Sequence, residues 1–198
     1  ERPGVAVIDA GMVDTALKAH AAAEHFKRED VAVVFLFVST YALSSTVLPV
    51  VQKTGAPVIV LNLQPVKAID YARFNALGNR TKMTGEWLAH CQACSIPEIA
   101  SVFNRAQIRF HQITGTLHDD PIAWTEIDEW IEAAQVARAM ASNRLGLLGH
   151  YYNGMLDIYS DPTQHAAFFG SHIEHVEMTE PKALRETAQA IAPPEALA

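Results

Sequence analysis

Side chains that suit a polyhydroxy ligand are concentrated in three segments of the sequence, at residues 39–41, 62–85 and 149–161. They comprise aromatic rings, amides and charged groups: Tyr41, Tyr151, Tyr152, Asn62, Gln64, Asn79, Asn153, Arg80, Lys82, Asp157 and Asp161. A ligand rich in hydroxyl groups needs many hydrogen-bond donors and acceptors together with an apolar face on which it can stack. This set therefore favours a neutral polyhydroxy compound over a nucleotide. The GxGxxG spacing of a dinucleotide site is not found at Gly146-Leu147-Leu148-Gly149.

The same residues also have structural interpretations. Tyr41 and Tyr152 could pack at the edge of a sheet, and the segment from Asn79 to Lys82 could be a solvated surface run. Asp157 and Asp161 form a possible carboxylate pair for acid–base chemistry. Asp161 directly precedes Pro162, however, and that order is equally typical of a helix cap.

Histidine and glutamate residues near the end of the chain have the types, but not the spacing, of a metal site. The group comprises His165, His172, Glu174, His175 and Glu177. On a strand, His172 and Glu174 face one side whereas His175 faces the other, so one ion does not easily collect all of them. Ordinary polar partners are therefore favoured over a metal ion.

The two cysteines of the chain, Cys91 and Cys94, form a single CxxC motif. A redox motif of the thioredoxin type opens a helix directly after a strand. These cysteines are instead expected late in a helical stretch, beside His90. We therefore interpret them as packed thiols, since free cysteine is one of the residue types most often buried.

Alternating strand and helix patterns would position these groups. Apolar, β-branched runs predict strands at residues 4–9, 31–38, 57–62, 107–114, 145–148 and 172–178. Helices are predicted at residues 13–28, at 42–53, from a capping box at Ser95 and Glu98 to about Arg105, at 127–141, after Asp161-Pro162, and from Pro181. The unbroken apolar run 31–38 is typical of a central parallel strand that is buried on both faces. Together these patterns predict an α/β fold with parallel, doubly wound sheets.

This predicted architecture gives the three segments a common position. In open parallel sheets, ligands bind beyond the carboxyl ends of the strands, and residues 39–41, 62–85 and 149–161 each follow a predicted strand. The polar segment 63–85 is also too long for a simple connection, which is typical of a functional loop.

Composition excludes several classes of protein. The 198 residues are 49% hydrophobic and 19% charged, and no apolar run reaches the length of a membrane span. A net charge of −7, without a cluster of Lys and Arg, argues against nucleic acid as a partner. With two cysteines and no signal peptide before them, the cytoplasm is the expected compartment.

Five runs of sequence carry a resemblance to a known family. They are FLFVSTYALSSTVLPVVQ, PVIVLNLQP, FNALGNRTKMTGEWLAHCQAC, VFNRAQIRFHQITG and RLGLLGHYYNGMLDIYSDPTQHAAFFGSHIE, and they cover roughly half of the chain. The chain resembles the N-terminal and central domains of the L-arabinose isomerase and L-fucose isomerase superfamily, in a branch near the arabinose isomerases. The resemblance implies a cytoplasmic ketol isomerase that interconverts an aldose and its ketose and assembles as a homo-oligomer, a trimer or a hexamer.

The resemblance also implies roles for particular residues. Tyr41 matches a pocket aromatic residue, Asn79 a pocket amide and Met155 a pocket methionine, while Tyr152 offers a further ring to the substrate. Lys82 stands where the arabinose isomerases carry a histidine, a departure that leaves the sugar and the activity open. These five residues are the expected substrate-binding set.

The chain is expected to be a fragment of such an enzyme. Residues 1–142 would form a nearly complete Rossmann-like domain without its first strand, and residues 143–198 would begin a second α/β domain. The family's Mn²⁺ ligands and proton-transfer glutamates would lie beyond residue 198, so the fragment is expected to be inactive as an isomerase. A non-catalytic sugar-binding α/β module is the alternative.

Overall fold

The computed structural model describes residues 3–191, with side chains up to residue 188, and the chain divides into two compact units. Unit 1 comprises Glu1–Ala134 and unit 2 comprises Gln135–Ala198. The expected division after residue 142 lies further along the chain than this one. Helices and parallel strands occur in both units, which confirms the α/β class.

Unit 1 is built on a parallel sheet of three strands. They are β1 (Val34–Phe37), β2 (Val58–Gln64) and β3 (Phe110–Thr116), in the order β1-β2-β3. Val58 pairs with Val34 on one side and with Phe110 on the other, so β2 is the central strand. The expectation that residues 31–38 form the central strand is therefore wrong. A continuous apolar run shows that both faces of a strand are covered, but it does not show how many neighbours the strand has.

Six helices are described in unit 1, the last of which continues into unit 2. They are α1 (Ala16–Arg28), α2 (Ser44–Thr54), α3 (Tyr71–Ala76), α4 (Arg80–Leu88), α5 (Gln92–Arg105) and α6 (Pro121–Ala141). No helix within residues 3–191 combines the length and the apolar character that crossing a membrane would require.

The two faces of the sheet are covered by different helices. On one face, Val58 and Val60 of β2 pack with Ile96, Ile99 and Phe103 of α5, and the last two of these are fully buried. On the other face, Ile59 and Leu63 of β2 and Ile113 of β3 pack with Ala123 and Ile127 of α6, and all five side chains are buried. Burial of both faces accounts for the apolar sequence of β2.

The predicted strand at residues 4–9 is wrong, because this segment has no regular secondary structure. A β-branched composition favours a strand only where a neighbouring backbone completes its hydrogen bonds. The segment instead ends in a local turn, in which the Gly11 amide donates to Asp9 Oδ1 at 2.7 Å. The following helix is confirmed, since Thr15 caps α1 by accepting from the Lys18 amide.

The polar segment 63–85 is not a loop throughout, because it contains α3 and most of α4. Asp70 caps α3 by accepting from the Arg73 amide at 3.0 Å, and Asn79 caps α4 by accepting from the Lys82 amide at 3.0 Å. Side-chain caps of this kind let short polar sequences begin a helix, which the absence of apolar periodicity had concealed.

The predicted capping box at Ser95 and Glu98 is also wrong, since α5 begins at Gln92 and both residues lie inside it. Residues three apart share one face of a helix, and here that face meets the start of α2. Ser95 Oγ accepts from the Ala42 amide at 2.8 Å, and Glu98 accepts from the amide and hydroxyl of Ser44. The two side chains thus accept hydrogen bonds from residues at the start of α2 and do not cap α5, the helix in which they lie.

Unit 2 contains a parallel pair of strands and two α-helices within the described residues. They are β4 (Arg144–Leu148), α7 (Pro162–Phe169), β5 (His172–Val176) and α8 (Thr179–Ile191), with a single turn of 3-10 helix at Leu156–Ile158. Asp161 accepts from the Thr163 and Gln164 amides at 2.8 and 3.2 Å. The predicted cap of α7 is therefore confirmed.

Replacement of Gly115 by alanine is expected to destabilise unit 1. A Cβ atom at this position would lie 2.5 Å from Asp120 Oδ2 and 2.8 Å from the Cβ of Ala123. Overpacking of this kind costs about 1–3 kcal/mol of unfolding free energy, which urea denaturation would measure. Gly85→Ala is the matched control, because position 85 has open space and an alanine inside a helix stabilises by about 0.5–1 kcal/mol. Equal stability of the two variants would contradict this packing.

Candidate functional site

Polar side chains replace apolar ones toward the carboxyl ends of β2 and β3. Side chains alternate along a strand, so Asn62 and Gln64 continue the face that Val58 and Val60 begin. On β3, Thr114 pairs in register with Asn62. We use the name amide cluster for Asn62, Gln64, Gln112 and Thr114. The cluster lies where ligands bind in open parallel sheets.

Hydrogen bonds hold the amide cluster in one arrangement. Thr114 Oγ1 accepts from Asn62 Nδ2 at 3.3 Å and from Gln112 Nε2 at 2.9 Å. Gln64 Nε2 donates to Asn62 Oδ1 at 3.0 Å. These bonds orient the amides, and the hydroxyl hydrogen of Thr114 remains able to donate to a ligand. Gln112 and Thr114 are exposed, whereas Asn62 and Gln64 are half-buried.

The loop after β1 is fixed at three positions. Gln92 Nε2 donates to the Ser39 carbonyl at 3.1 Å, Thr40 Oγ1 donates to the Leu88 carbonyl at 2.8 Å, and the Ala42 amide donates to Ser95. Within this loop the side chain of Tyr41 is 55% exposed. The predicted aromatic platform is therefore presented to solvent from a well-anchored backbone.

Gln92 is a polar residue that the sequence did not single out. It is only 2% exposed, and its Oε1 atom has no hydrogen-bond partner among the described residues. Its position at the start of α5, next to the loop after β1, depends on where that helix begins. Neither its type nor its spacing distinguishes it from a surface glutamine.

Asn79 and Lys82 lie at the start of α4, and both are exposed. The side-chain oxygen of Asn79 caps the helix, which gives this predicted pocket amide a structural partner. Beside them, a shallow and open depression of the surface is lined by Phe74, Arg80, Met83, Thr84 and Trp87. The depression offers aromatic and apolar surface together with one guanidinium group.

The remaining predicted site residues belong to unit 2. Tyr152 is 73% exposed and Met155 is 47% exposed, and the Met155 amide donates to the Tyr152 carbonyl at 3.3 Å. The neighbouring Tyr151 is hydrogen-bonded to Ser160 at 2.6 Å. Tyr152 and Met155 thus share one turn, while Tyr41, Asn79 and Lys82 belong to unit 1.

Two aspartates near these segments are engaged by backbone amides. Asp120 accepts from the Thr116 amide at 2.9 Å and from the Ala123 amide at 3.2 Å. These hydrogen bonds, first that of Thr116, lower the pKa of Asp120 below its ordinary value of 3.8. Asp161 is occupied as the cap of α7, so of the two interpretations of this residue the structure shows the cap.

None of the described residues is identified as a ligand of the expected Mn²⁺ ion. Within residues 3–191, no three side chains of His, Cys, Asp or Glu lie together as a metal site would require. His165 contacts Ser171 at 3.3 Å, and His150 lies 3.8 Å from Glu177.

The CxxC motif opens a helix rather than lying late in one, so its expected position is wrong. Cys91 is the N-cap of α5 and Cys94 lies in the first turn. The cysteines were expected near the end of a helical stretch that precedes Ser95, but α4 ends at Leu88 and the chain turns at Ala89 and His90. Cys91 is buried and Cys94 is exposed.

No protein-family model and no curated protein matches this chain.

The charge of Asp120 is expected to stabilise unit 1 in a pH-dependent way. Because the pKa of the folded state is below the unfolded value of 3.8, the contribution is complete above that value and is lost as the pH falls through the folded pKa. Asp120→Asn keeps a capping oxygen without the charge. Urea denaturation should show wild type more stable than this variant at neutral pH, with the difference shrinking in acid. A difference that does not change with pH would contradict this role.

Proposed function

We propose that the amide cluster and the loop carrying Tyr41 form one wall of a sugar site in an aldose–ketose isomerase of the arabinose–fucose type. The observation that carries the proposal is the amide cluster, a bonded array of amides and a hydroxyl at the carboxyl ends of β2 and β3. A sugar needs paired donors and acceptors at fixed spacing, and this array supplies both.

The exposed ring of Tyr41 supports the same proposal. Sugars present an apolar face of C–H groups, which packs on aromatic rings, while their hydroxyls bind amides. The hydrogen bonds of Ser39, Thr40 and Ala42 hold the loop before a ligand arrives, which lowers the entropy cost of binding. The family resemblance implies sugar contacts for Asn79 in unit 1 and, separately, for Met155 in unit 2. Lys82 and Tyr152 remain candidate substrate-binding residues of their own units.

Isomerisation of an aldose moves a proton between two adjacent carbons through an enediol, and a carboxylate commonly performs that transfer. The role proposed for the described residues is to bind and orient the sugar. The proposal includes a cytoplasmic location and a trimer or hexamer as the assembled form, both of which come from the resemblance. It retains Mn²⁺ as the family's metal without assigning it a ligand in this chain.

A non-catalytic sugar-binding module is the second candidate, and the engagement of Asp120 and Asp161 favours it. Both carboxylates serve as acceptors for backbone amides. The hydrogen bonds to Asp120, first that of Thr116, lower its pKa, so this carboxylate is a poor proton carrier.

Sugar binding tests the proposal directly. L-Arabinose and L-fucose would be titrated into the purified protein, with and without Mn²⁺, and binding would be followed by saturation-transfer NMR. We expect Asn62→Ala and Gln112→Ala to weaken binding roughly threefold to tenfold, because one hydrogen bond contributes about 1 kcal/mol. Gln52→Ala is the matched control, since Gln52 is an exposed amide near the C-terminal end of α2, whereas the loop that carries Tyr41 precedes the N-terminal end of this helix.

Dependence on Mn²⁺ and ketose formation, both measured in these samples, separate the two candidates. Binding that requires Mn²⁺, or any ketose formation, would support the isomerase, whereas binding that is independent of Mn²⁺ and yields no ketose would support the module. Absence of binding, or an equal effect of Gln52→Ala, would contradict the role of the amide cluster.

A further inference from the structure

The first turn of α5 brings the two cysteines of the chain together. The Cys94 amide donates to the Cys91 carbonyl at 3.0 Å, which closes a turn of four residues at the N-terminus of a 14-residue helix. In helical geometry, Cα atoms three residues apart are separated by about 5 Å. Disulfides join Cα atoms roughly 4.4–6.8 Å apart. The backbone therefore already has the separation that a Cys91–Cys94 disulfide needs.

The two thiols differ in their surroundings. Cys94 is exposed, whereas Cys91 is only 1% exposed. Burial, and then the neighbouring thiol of Cys94, raise the pKa of Cys91. A buried thiol with a raised pKa is a poor first nucleophile, since the thiolate is the reactive form. The exposed Cys94 is thus the thiol that an incoming disulfide can reach.

A buried acceptor lies within the same turn. Gln92, between the two cysteines, keeps an Oε1 atom that has no partner among the described residues. Buried acceptors without partners are rare in folded proteins, and a redox role is one physical reason for keeping one. The side chain that carries this acceptor also ties the cysteine turn to the loop after β1, because Gln92 Nε2 donates to the Ser39 carbonyl at 3.1 Å.

We propose that Cys91 and Cys94 form a dithiol–disulfide exchange site whose substrates are low-molecular-weight disulfides. The Cys94 thiolate attacks one sulfur of the substrate, and the other half of the substrate leaves as a thiolate. Cys91, after losing its proton to solvent, attacks the Cys94 sulfur of the mixed disulfide and releases the second half. The two protein thiols are oxidised to one disulfide, and one substrate disulfide is reduced to two thiols.

The site is coupled to the loop after β1. Gln92 holds the Ser39 carbonyl, and Ser95, one residue after Cys94, accepts from the Ala42 amide. Cross-linking the turn therefore restrains the residues that anchor this loop. The Ala42 amide becomes a reporter of the redox state, and it does not depend on whether the protein binds a sugar.

The exchange is tested by incubating the purified protein with mixtures of reduced and oxidised glutathione. Intact mass should show the loss of two hydrogen atoms in the wild type, with half-oxidation at an intermediate ratio of the two forms. Alkylation of the reduced protein followed by peptide mapping should label Cys94 before Cys91. The NMR signal of the Ala42 amide should shift on oxidation and return on reduction.

Two variants separate the steps. Cys91→Ser should accumulate the glutathione adduct on Cys94, because the second attack is lost, while Cys94→Ser should form neither adduct nor internal disulfide. If Cys91→Ser does not fold, the order of alkylation in the wild type remains the test. A wild type that stays reduced, forms only adducts or disulfides between chains, or is alkylated first at Cys91 would overturn the proposal.

Discussion

Burial of both faces of β2 is the constraint on which the rest of unit 1 depends. Val58 and Val60 face α5, while Ile59 and Leu63 face α6, so neither helix can be removed without exposing apolar surface. Only toward the carboxyl end of β2 do polar side chains appear. The amide cluster forms on the face of β2 that packs against α5, at the point where the buried apolar side chains end and polar side chains follow. Hydrogen bonds within the cluster provide partners for these polar side chains.

Helix α5 connects the core of unit 1 with the chemistry at its edge. Its apolar face, with Phe103 at the centre, packs on β2 and supplies the rigidity that a binding surface requires. Its first turn positions Gln92 and the two cysteines, and Ser95 and Glu98 reach the start of α2. One helix thus determines the position of the loop after β1 and the geometry of the CxxC motif, so a change in its start would disturb both.

The two proposals use the same edge of the sheet in different ways. The amide cluster and Tyr41 offer a sugar neutral hydrogen-bonding groups and a ring, while the cysteines offer thiol exchange beside the loop that carries Tyr41. Asp120 and Asp161 take part in neither, because backbone amides engage them.

Local patterns in the sequence determined most of the elements. The spacing of apolar residues predicts α1, α2 and α6, and Asp161-Pro162 predicts the start of α7, because these features depend on neighbours within a few residues. Tertiary structure alone decided that residues 4–9 remain unpaired, that β2 rather than β1 is central, and that Ser95 and Glu98 serve another helix. Each of these depends on partners distant in sequence, whose hydrogen bonds no local pattern encodes. The same holds for the site: the sequence supplied Tyr41, Asn62 and the CxxC motif, but strand register joined Asn62 to Thr114, and the start of α5 placed both cysteines in one turn.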